Sequence, residues 1–188
     1  MTKKLENFVL FLHKSFGITP DKLSFVRIFA APWLALFISR AIDGGSAMFV
    51  IFTLVFYFII ISTDFLDGLL ARHISEAETH DHAWGGMLDR LSDKILIIFA
   101  LIPFGLNLLT FLIIAGESVL AYEALTSPSH KKQATGAGKL KMLFQTILIP
   151  ILIISETTNI IPGIVLYPII IATIILTGNS IYSHYFND

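Results

Sequence analysis

Six long apolar segments constrain the fold of this chain more than any other feature. A helix needs roughly 20 mostly apolar residues to cross a bilayer, and each segment approaches or exceeds that length. Hydrophobic residues make up 55% of the chain and charged residues only 14%, well below the roughly 25% of a soluble domain, which indicates a bilayer as the main solvent. The sequence therefore predicts an all-α integral membrane protein with six transmembrane helices. They run over residues 23–42, 47–72, 87–103, 106–125, 140–155 and 161–184.

A shorter amphipathic segment precedes the first span and predicts an interfacial helix over residues 1–20. An ordinary helix docked on the bundle would show the same pattern. The length of 188 residues suits a single domain, 1–188, with the six-helix bundle over 21–188. The chain has no cysteine, which excludes disulfides and thiolate metal sites. The apolar positions of the segment are Leu5, Phe8, Val9, Leu12 and Phe16.

Lysine and arginine residues predict the orientation in the membrane. With six spans, both termini share one side with the loops around residues 72–86 and 126–139. Every lysine and arginine except Arg40 lies on or near that side. Because cytoplasmic loops carry the excess of basic residues, we expect both termini and these loops to be cytoplasmic. The net charge of −1 gives no reason to expect a nucleic-acid partner.

Four aspartates flank the loop between the second and third spans. Asp64 and Asp67 are three residues apart, and Asp89 and Asp93 are four apart, so each pair lies on one helix face. An antiparallel return of the chain would bring all four together near the cytoplasmic end. Ionisable groups within membrane helices are costly and usually functional. The constellation therefore predicts a functional site.

Four neighbouring carboxylates need cations if they are all to remain ionised. Two hard divalent ions, Mg²⁺ or Mn²⁺, would suit oxygen ligands, and paired ions of this kind serve phosphoryl chemistry. Gly68 would let a ligand approach the backbone closely, Ala71 leaves room, and Arg72 offers a planar cation for phosphate. The structural alternative is that the aspartates only cap helices or pair with Arg72, Arg90 and Lys94.

The spacing D-x2-D-G-x2-A-R, followed by G-x3-D-x3-D, resembles the signature of the CDP-alcohol phosphatidyltransferases. The chain departs from the pattern in the loop of residues 73–84, which is longer than is usual in the family. His80 and His82 of this loop are interpreted as solvated, because no further metal ligand is fixed nearby. The signature residues are Asp64, Asp67, Gly68, Ala71, Arg72, Gly85, Asp89 and Asp93.

The resemblance implies a homodimeric enzyme of phospholipid biosynthesis that uses CDP-diacylglycerol and releases CMP. It implies that Asp64, Asp67 and Asp89 hold two metal ions, and that Asp93 is the general base and a further metal contact. The segment Thr19–Arg27 is also similar to the family's N-terminal segment, which helps to close the nucleotide site. Asp21 would serve equally well as a helix cap after Pro20. The residues implied in CDP binding are Asp21, Ser24, Arg27, Asp64, Gly68, Ala71, Arg72 and Gly85.

The stretch 138–145 resembles phosphatidylglycerophosphate synthases, in which a lysine pair holds the phosphate of glycerol 3-phosphate. Here the pair is Lys139 and Lys141, although either lysine would also serve as a cytoplasmic anchor. Two departures weaken this assignment: Arg90 replaces the usual proline, and Gly116 replaces the arginine that commonly precedes Glu117. Inositol phosphate, another polyol and a second lipid remain alternative acceptors.

A membrane cation channel or transporter is the competing class, because it too would carry acidic residues within its spans. Such a protein would distribute them through the bilayer or along a pore. Here the aspartates cluster at one end, and only Glu117 and Glu123 on the fourth span add to them.

Overall fold

The computed structural model describes residues 19–74, 82–126, 136–158 and 160–186. These residues form six α-helices and one short 3-10 turn, Ile102–Phe104, and they contain no β-strand. The predicted all-α fold is therefore confirmed. The expected interfacial helix of residues 1–20 lies almost wholly outside the described residues, as does His80. The helices are α1 (Pro20–Ile42), α2 (Ala47–Ile74), α3 (His82–Leu101), α4 (Leu108–Thr126), α5 (Gly136–Thr158) and α6 (Gly163–Phe186).

Local capping residues set several helix ends. The hydroxyl of Thr19 accepts a hydrogen bond from the backbone N–H of Lys22 at 3.4 Å, so Thr19 caps α1. Asp21 instead lies in the first turn, where a negative charge is favoured by the helix dipole. Asn107 caps α4, because its side-chain oxygen accepts from two backbone N–H groups at 3.0 and 3.1 Å. Gly44, with φ of 98°, allows the tight turn between α1 and α2.

Five of the six helices are long and apolar enough to cross a membrane, which indicates an integral membrane protein. The predicted count of six spans is not confirmed, because α3 does not meet this criterion. Its first 13 residues include Asp89, Arg90, Asp93 and Lys94, and these charges interrupt the apolar run. The qualifying segments are Pro20–Ile42, Ala47–Asp67, Leu108–Thr126, Gly138–Thr158 and Gly163–Ser183.

Helix α3 lies in the middle of the bundle, between α1 and α4. Leu34 and Ile38 of α1 share a buried apolar core with Leu96 and Ala100 of α3. Large apolar side chains on the outer surface, such as Trp33, are exposed, as expected for surfaces that face lipid. The packing places the charged residues of α3 beside Arg27 of α1, where the site is found.

Candidate metal and catalytic site

The four aspartates predicted to converge do so at one end of the bundle. α2 supplies Asp64 and Asp67 from its second half, and α3 supplies Asp89 and Asp93 from its middle turns. Asp64, Asp89 and Asp93 each offer a carboxylate oxygen, and these oxygens lie within 4.8 Å of one another. The local helical spacing within each pair and the packing of both α2 and α3 against α1 together account for this convergence.

Arg27 of α1 reaches into the same cluster. Its Nη1 donates to Asp64 Oδ1 at 3.0 Å and to Asp93 Oδ1. Its Nη2 donates to Asp89 Oδ1 at 2.8 Å and to Asp67 Oδ2. The arginine is fully buried, so its positive charge acts on the carboxylates with little screening by water. The sequence assigned Arg27 to CDP binding, and that role remains a prediction; the contacts with the aspartates were not predicted.

The donor set of the cluster fits a divalent cation. Carboxylate oxygens are the ligands that Mg²⁺ and Mn²⁺ prefer, and three such oxygens are close enough to share one ion. One guanidinium contacts four carboxylates, so full ionisation of the cluster leaves an excess of negative charge. Further cations would therefore be stabilised at this end of the bundle.

The other residues expected to bind CDP lie around this cluster. Ser24 is buried, and its Oγ lies 3.4 Å from Arg27 Nη2. Asp21 contacts Gly85 so closely that a Cβ atom on Gly85 would lie 2.7 Å from Asp21 Oδ1. The structure thus brings Asp21 and Gly85 together, as a shared nucleotide site would require. Gly68, Ala71 and Arg72 continue α2 beyond the aspartates, but their side chains lie outside the described residues.

A cavity of about 280 Å³ connects the aspartate cluster with the predicted acceptor lysines. Ligand pockets usually measure roughly 300–1,000 Å³, so this volume suits a small alcohol rather than a whole lipid. Asp64, Asp89 and Asp93 line it on one side, and Lys139 and Lys141 line it elsewhere. The two sets of residues predicted from the sequence therefore share one space.

The sequence did not predict that Lys141 is paired inside the protein. Its Nζ donates to Glu117 Oε1 and Oε2 at 2.8 and 3.1 Å, and Gln145 Nε2 donates to Glu117 Oε1 at 2.6 Å. All three side chains are buried. The sequence indicated this pairing only weakly. Lys141 and Gln145 are four residues apart on one helix face, and Glu117 is an acidic residue within an apolar span, but nothing in the sequence joins the two.

Two basic residues of α3 also line the cavity and were not among the predicted site residues. Arg90 and Lys94 stand four residues apart and follow Asp89 and Asp93 in sequence. Arg90 Nε donates to the carbonyl of Gly86 at 3.1 Å. Its Nη2 is buried without a hydrogen-bond partner among the described residues. Arg90 and Lys94 have the same four-residue spacing as Asp89 and Asp93. The sequence could therefore have indicated that these two basic residues share a face of α3.

Close helix packing explains why residue 116 carries no side chain. A Cβ atom on Gly116 would lie 2.5 Å from Thr177 Cγ2, well inside van der Waals contact. Thr177 is buried on α6, and its hydroxyl donates to the carbonyl of Thr173 at 2.8 Å. The arginine common at this position in phosphatidylglycerophosphate synthases would not fit here.

Apolar helices here enclose a carboxylate cluster and a cavity that basic and acidic side chains line together, an arrangement typical of a membrane protein that binds charged ligands. A family model for CDP-alcohol phosphatidyltransferase matches residues 17–178, and the chain belongs to this family. It is therefore a phosphotransferase of lipid synthesis, from a family that takes a CDP-alcohol and an alcohol acceptor and generally depends on divalent metal ions. No significant match was found among curated proteins or among solved structures.

Proposed function

We propose that this enzyme transfers the phosphatidyl group of CDP-diacylglycerol to glycerol 3-phosphate, giving phosphatidylglycerophosphate and CMP. One observation carries the proposal: the aspartate cluster and the lysines Lys139 and Lys141 line the same cavity. A donor diphosphate at the aspartates and an acceptor phosphate at the lysines would then place the two reacting groups side by side. Such positioning supplies much of the rate enhancement in phosphoryl transfer.

The aspartates would hold two divalent ions, Mg²⁺ or Mn²⁺, with Asp64, Asp67 and Asp89 as principal ligands. When bound, such ions neutralise a diphosphate and polarise the phosphorus under attack. Asp21 and Gly85 would flank the cytidine end of the donor, and Arg72 would meet its phosphate oxygens. The close contact of Asp21 with Gly85 supports a shared role for these two residues.

Asp93 would remove the proton from the acceptor hydroxyl. The acceptor oxygen then bonds to the phosphorus that carries the lipid, and the bond from that phosphorus to CMP breaks, so that CMP leaves with the electron pair. Asp93 lines the cavity and lies four residues beyond Asp89 on the same helix face. This location, between the cluster and the acceptor side, supports the role of general base.

The charge of the cavity supports a phosphorylated acceptor. Beyond the aspartate cluster and Arg27, the lining holds four basic and two acidic side chains, an excess of two positive charges. The buried Nη2 of Arg90 has no partner among the described residues and could donate to a phosphate oxygen. Inositol phosphate has the same group and remains the main alternative; a neutral polyol or a second lipid would not use this charge. The basic residues are Arg90, Lys94, Lys139 and Lys141, and the acidic ones are Glu117 and Glu123.

We also propose how the enzyme lies in the membrane. Helix α3 would cross the bilayer as the sixth span, because it packs between α1 and α4 and its last seven residues, 95–101, are apolar. The aspartates, both termini and the lysines would then be cytoplasmic, with residues 1–20 as an interfacial helix of the single domain 1–188. A homodimer is expected from the family.

The test is CMP release by the purified protein with CDP-diacylglycerol, Mg²⁺ or Mn²⁺, and a panel of acceptors. The panel comprises glycerol 3-phosphate, inositol phosphate, inositol and serine. We expect metal-dependent release with glycerol 3-phosphate that Asp93→Asn lowers by about a thousandfold or more, a typical effect of losing a general base. Release with a different acceptor would correct the proposed substrate, and an active Asp93→Asn variant would remove Asp93 from the role of base.

A further inference from the structure

The guanidinium of Arg27 lies at the centre of the aspartate cluster and contacts all four carboxylates. Nη1 bridges Asp64 and Asp93, and Nη2 bridges Asp67 and Asp89. A single residue of α1 therefore joins both acidic residues of α2 to both of α3. The oxygens that Arg27 binds belong to the same carboxylates that are close enough to ligate a metal ion.

A divalent ion and this guanidinium cannot both keep the central position. Mg²⁺ lies about 2.0–2.1 Å from its ligand oxygens, while the Arg27 nitrogens lie 3.0 Å from Asp64 Oδ1 and 2.8 Å from Asp89 Oδ1. An ion bound to these oxygens on the side that faces Arg27 would be in direct contact range of the guanidinium. Two like charges at such a separation repel strongly where water is largely excluded.

The contacts of Arg27 also leave it replaceable. One positive charge cannot balance four carboxylates once all of them are ionised, so cations of higher charge would favour that state at the same position. In addition, Arg27 Nε is buried without a hydrogen-bond partner among the described residues, and an unsatisfied buried donor is unfavourable. The arginine therefore holds the cluster together but leaves both its own hydrogen bonding and the local charge incompletely satisfied.

We propose that Arg27 is an internal cation of the metal site, which occupies the aspartate cluster and gives up that position when divalent ions bind. The inference rests on the proposed metal role of the aspartates. Arg27 prevents the carboxylates from repelling one another when divalent ions are scarce, and it sets the ion concentration at which the site loads. Because Arg27 also lines the cavity, the released guanidinium stays beside the space proposed for the substrate phosphates.

The experiment measures Mn²⁺ binding to the purified full chain in detergent, from the electron paramagnetic resonance signal of free Mn²⁺, with no substrate present. Arg27→Gln should bind Mn²⁺ at least about tenfold more tightly than the unmodified protein, because no guanidinium competes for the carboxylates. Arg90→Gln is the matched control: it removes an arginine from the same cavity, but Arg90 Nε contacts the Gly86 carbonyl. We expect its Mn²⁺ affinity to change less than about threefold, because a charge outside the centre of the cluster acts on the ion over a longer distance.

Two outcomes would overturn the proposal. Equal or weaker Mn²⁺ binding by Arg27→Gln would show that Arg27 does not compete, and equal tightening by Arg90→Gln would show a general effect of charge. If Mn²⁺ bound to none of the proteins, the metal role in the proposed function would fail as well. A transfer assay is not needed, so loss of activity through a wrong acceptor cannot be mistaken for failure of this inference.

A second measurement needs no folded Arg27→Gln variant. The chain has four arginines, so arginine-selective ¹⁵N labelling gives a small set of Nε–H resonances, and Arg27→Lys identifies the one from Arg27. Addition of Mg²⁺ should shift this resonance strongly and that of Arg40, at the far end of α1, very little. An Arg27 resonance unchanged at saturating Mg²⁺ would mean that the guanidinium stays in place, contrary to the proposal.

Discussion

The buried ion pair between Glu117 and Lys141 offers a sharp test of how the cavity wall is stabilised. The substitution Glu117→Gln keeps the shape of the side chain but removes its charge. Lys141, whose side chain is only 5% exposed, would then remain as a buried ammonium without a counter-ion. Breaking a buried pair in this way costs about 3–5 kcal/mol.

The lower end of that range is the better expectation here. The amide oxygen introduced by Glu117→Gln could still accept a hydrogen bond from Lys141, and a lysine near the end of a helix can extend its ammonium towards water. A loss of about 3 kcal/mol corresponds to a fall in Tm of roughly 6–12 °C for a chain of this size. The assay is thermal unfolding in detergent without substrates, so that any role of Lys141 in acceptor binding does not enter.

Two further variants separate the ion pair from other causes. Ser118→Ala, an exposed neighbour on α4, should change stability by no more than about 0.5 kcal/mol. The triple variant Glu117→Leu/Lys141→Met/Gln145→Leu replaces the pair, and the buried amide that donates to Glu117, with apolar groups of similar volume and should recover most of the stability. The reasoning is refuted if Glu117→Gln unfolds within about 2 °C of the unmodified protein, a shift well below that expected from the broken pair, or if the triple variant is no more stable than Glu117→Gln.

Three other variants test the packing and the two substrate regions. Gly116→Ala should lower the free energy of unfolding by about 1–3 kcal/mol through overpacking against Thr177. Adding Thr177→Ser removes the opposing methyl group and should restore the stability. A Gly116→Ala variant as stable as the unmodified protein would contradict the close contact between residues 116 and 177. Gly85→Ala should leave the Tm nearly unchanged, because Asp21 is exposed and can move, yet raise the KM for CDP-diacylglycerol; an unaltered KM would place the nucleotide elsewhere. Lys139→Ala should raise the KM for glycerol 3-phosphate about tenfold through loss of a charge-assisted hydrogen bond, with little effect on the KM for the donor, whereas equal effects on both would argue against an acceptor role.

The aspartate cluster could be predicted from the sequence because the geometry within each pair is local. Spacings of three and four residues place each pair on one helix face. The two pairs meet because α2 and α3 both pack against α1, which the sequence indicated only through the short connection between α2 and α3. The order and type of the helices follow for a similar reason, since length and apolar composition specify membrane helices well.

The partners of these carboxylates could not be predicted, because they depend on long-range packing. Arg27 lies 37 residues from Asp64 and 66 from Asp93 in sequence, and only the contact of α1 with α2 and α3 brings them together. The pairing of Lys141 with Glu117 depends in the same way on how α5 approaches α4. The sequence indicated that each of these charges needed a partner, but several candidates of the correct sign were available for each.

Packing also connects the two sequence departures that weakened the acceptor assignment. At residue 116 the contact with Thr177 leaves no room for an arginine, so α4 carries no basic side chain there. At residue 90, where proline is usual, α3 carries an arginine that lines the cavity. The two departures offset each other in charge, because a cation is lost from α4 and another is present on α3. With Lys141 paired to Glu117, the basic groups best placed to meet an acceptor phosphate are Arg90, Lys94 and Lys139.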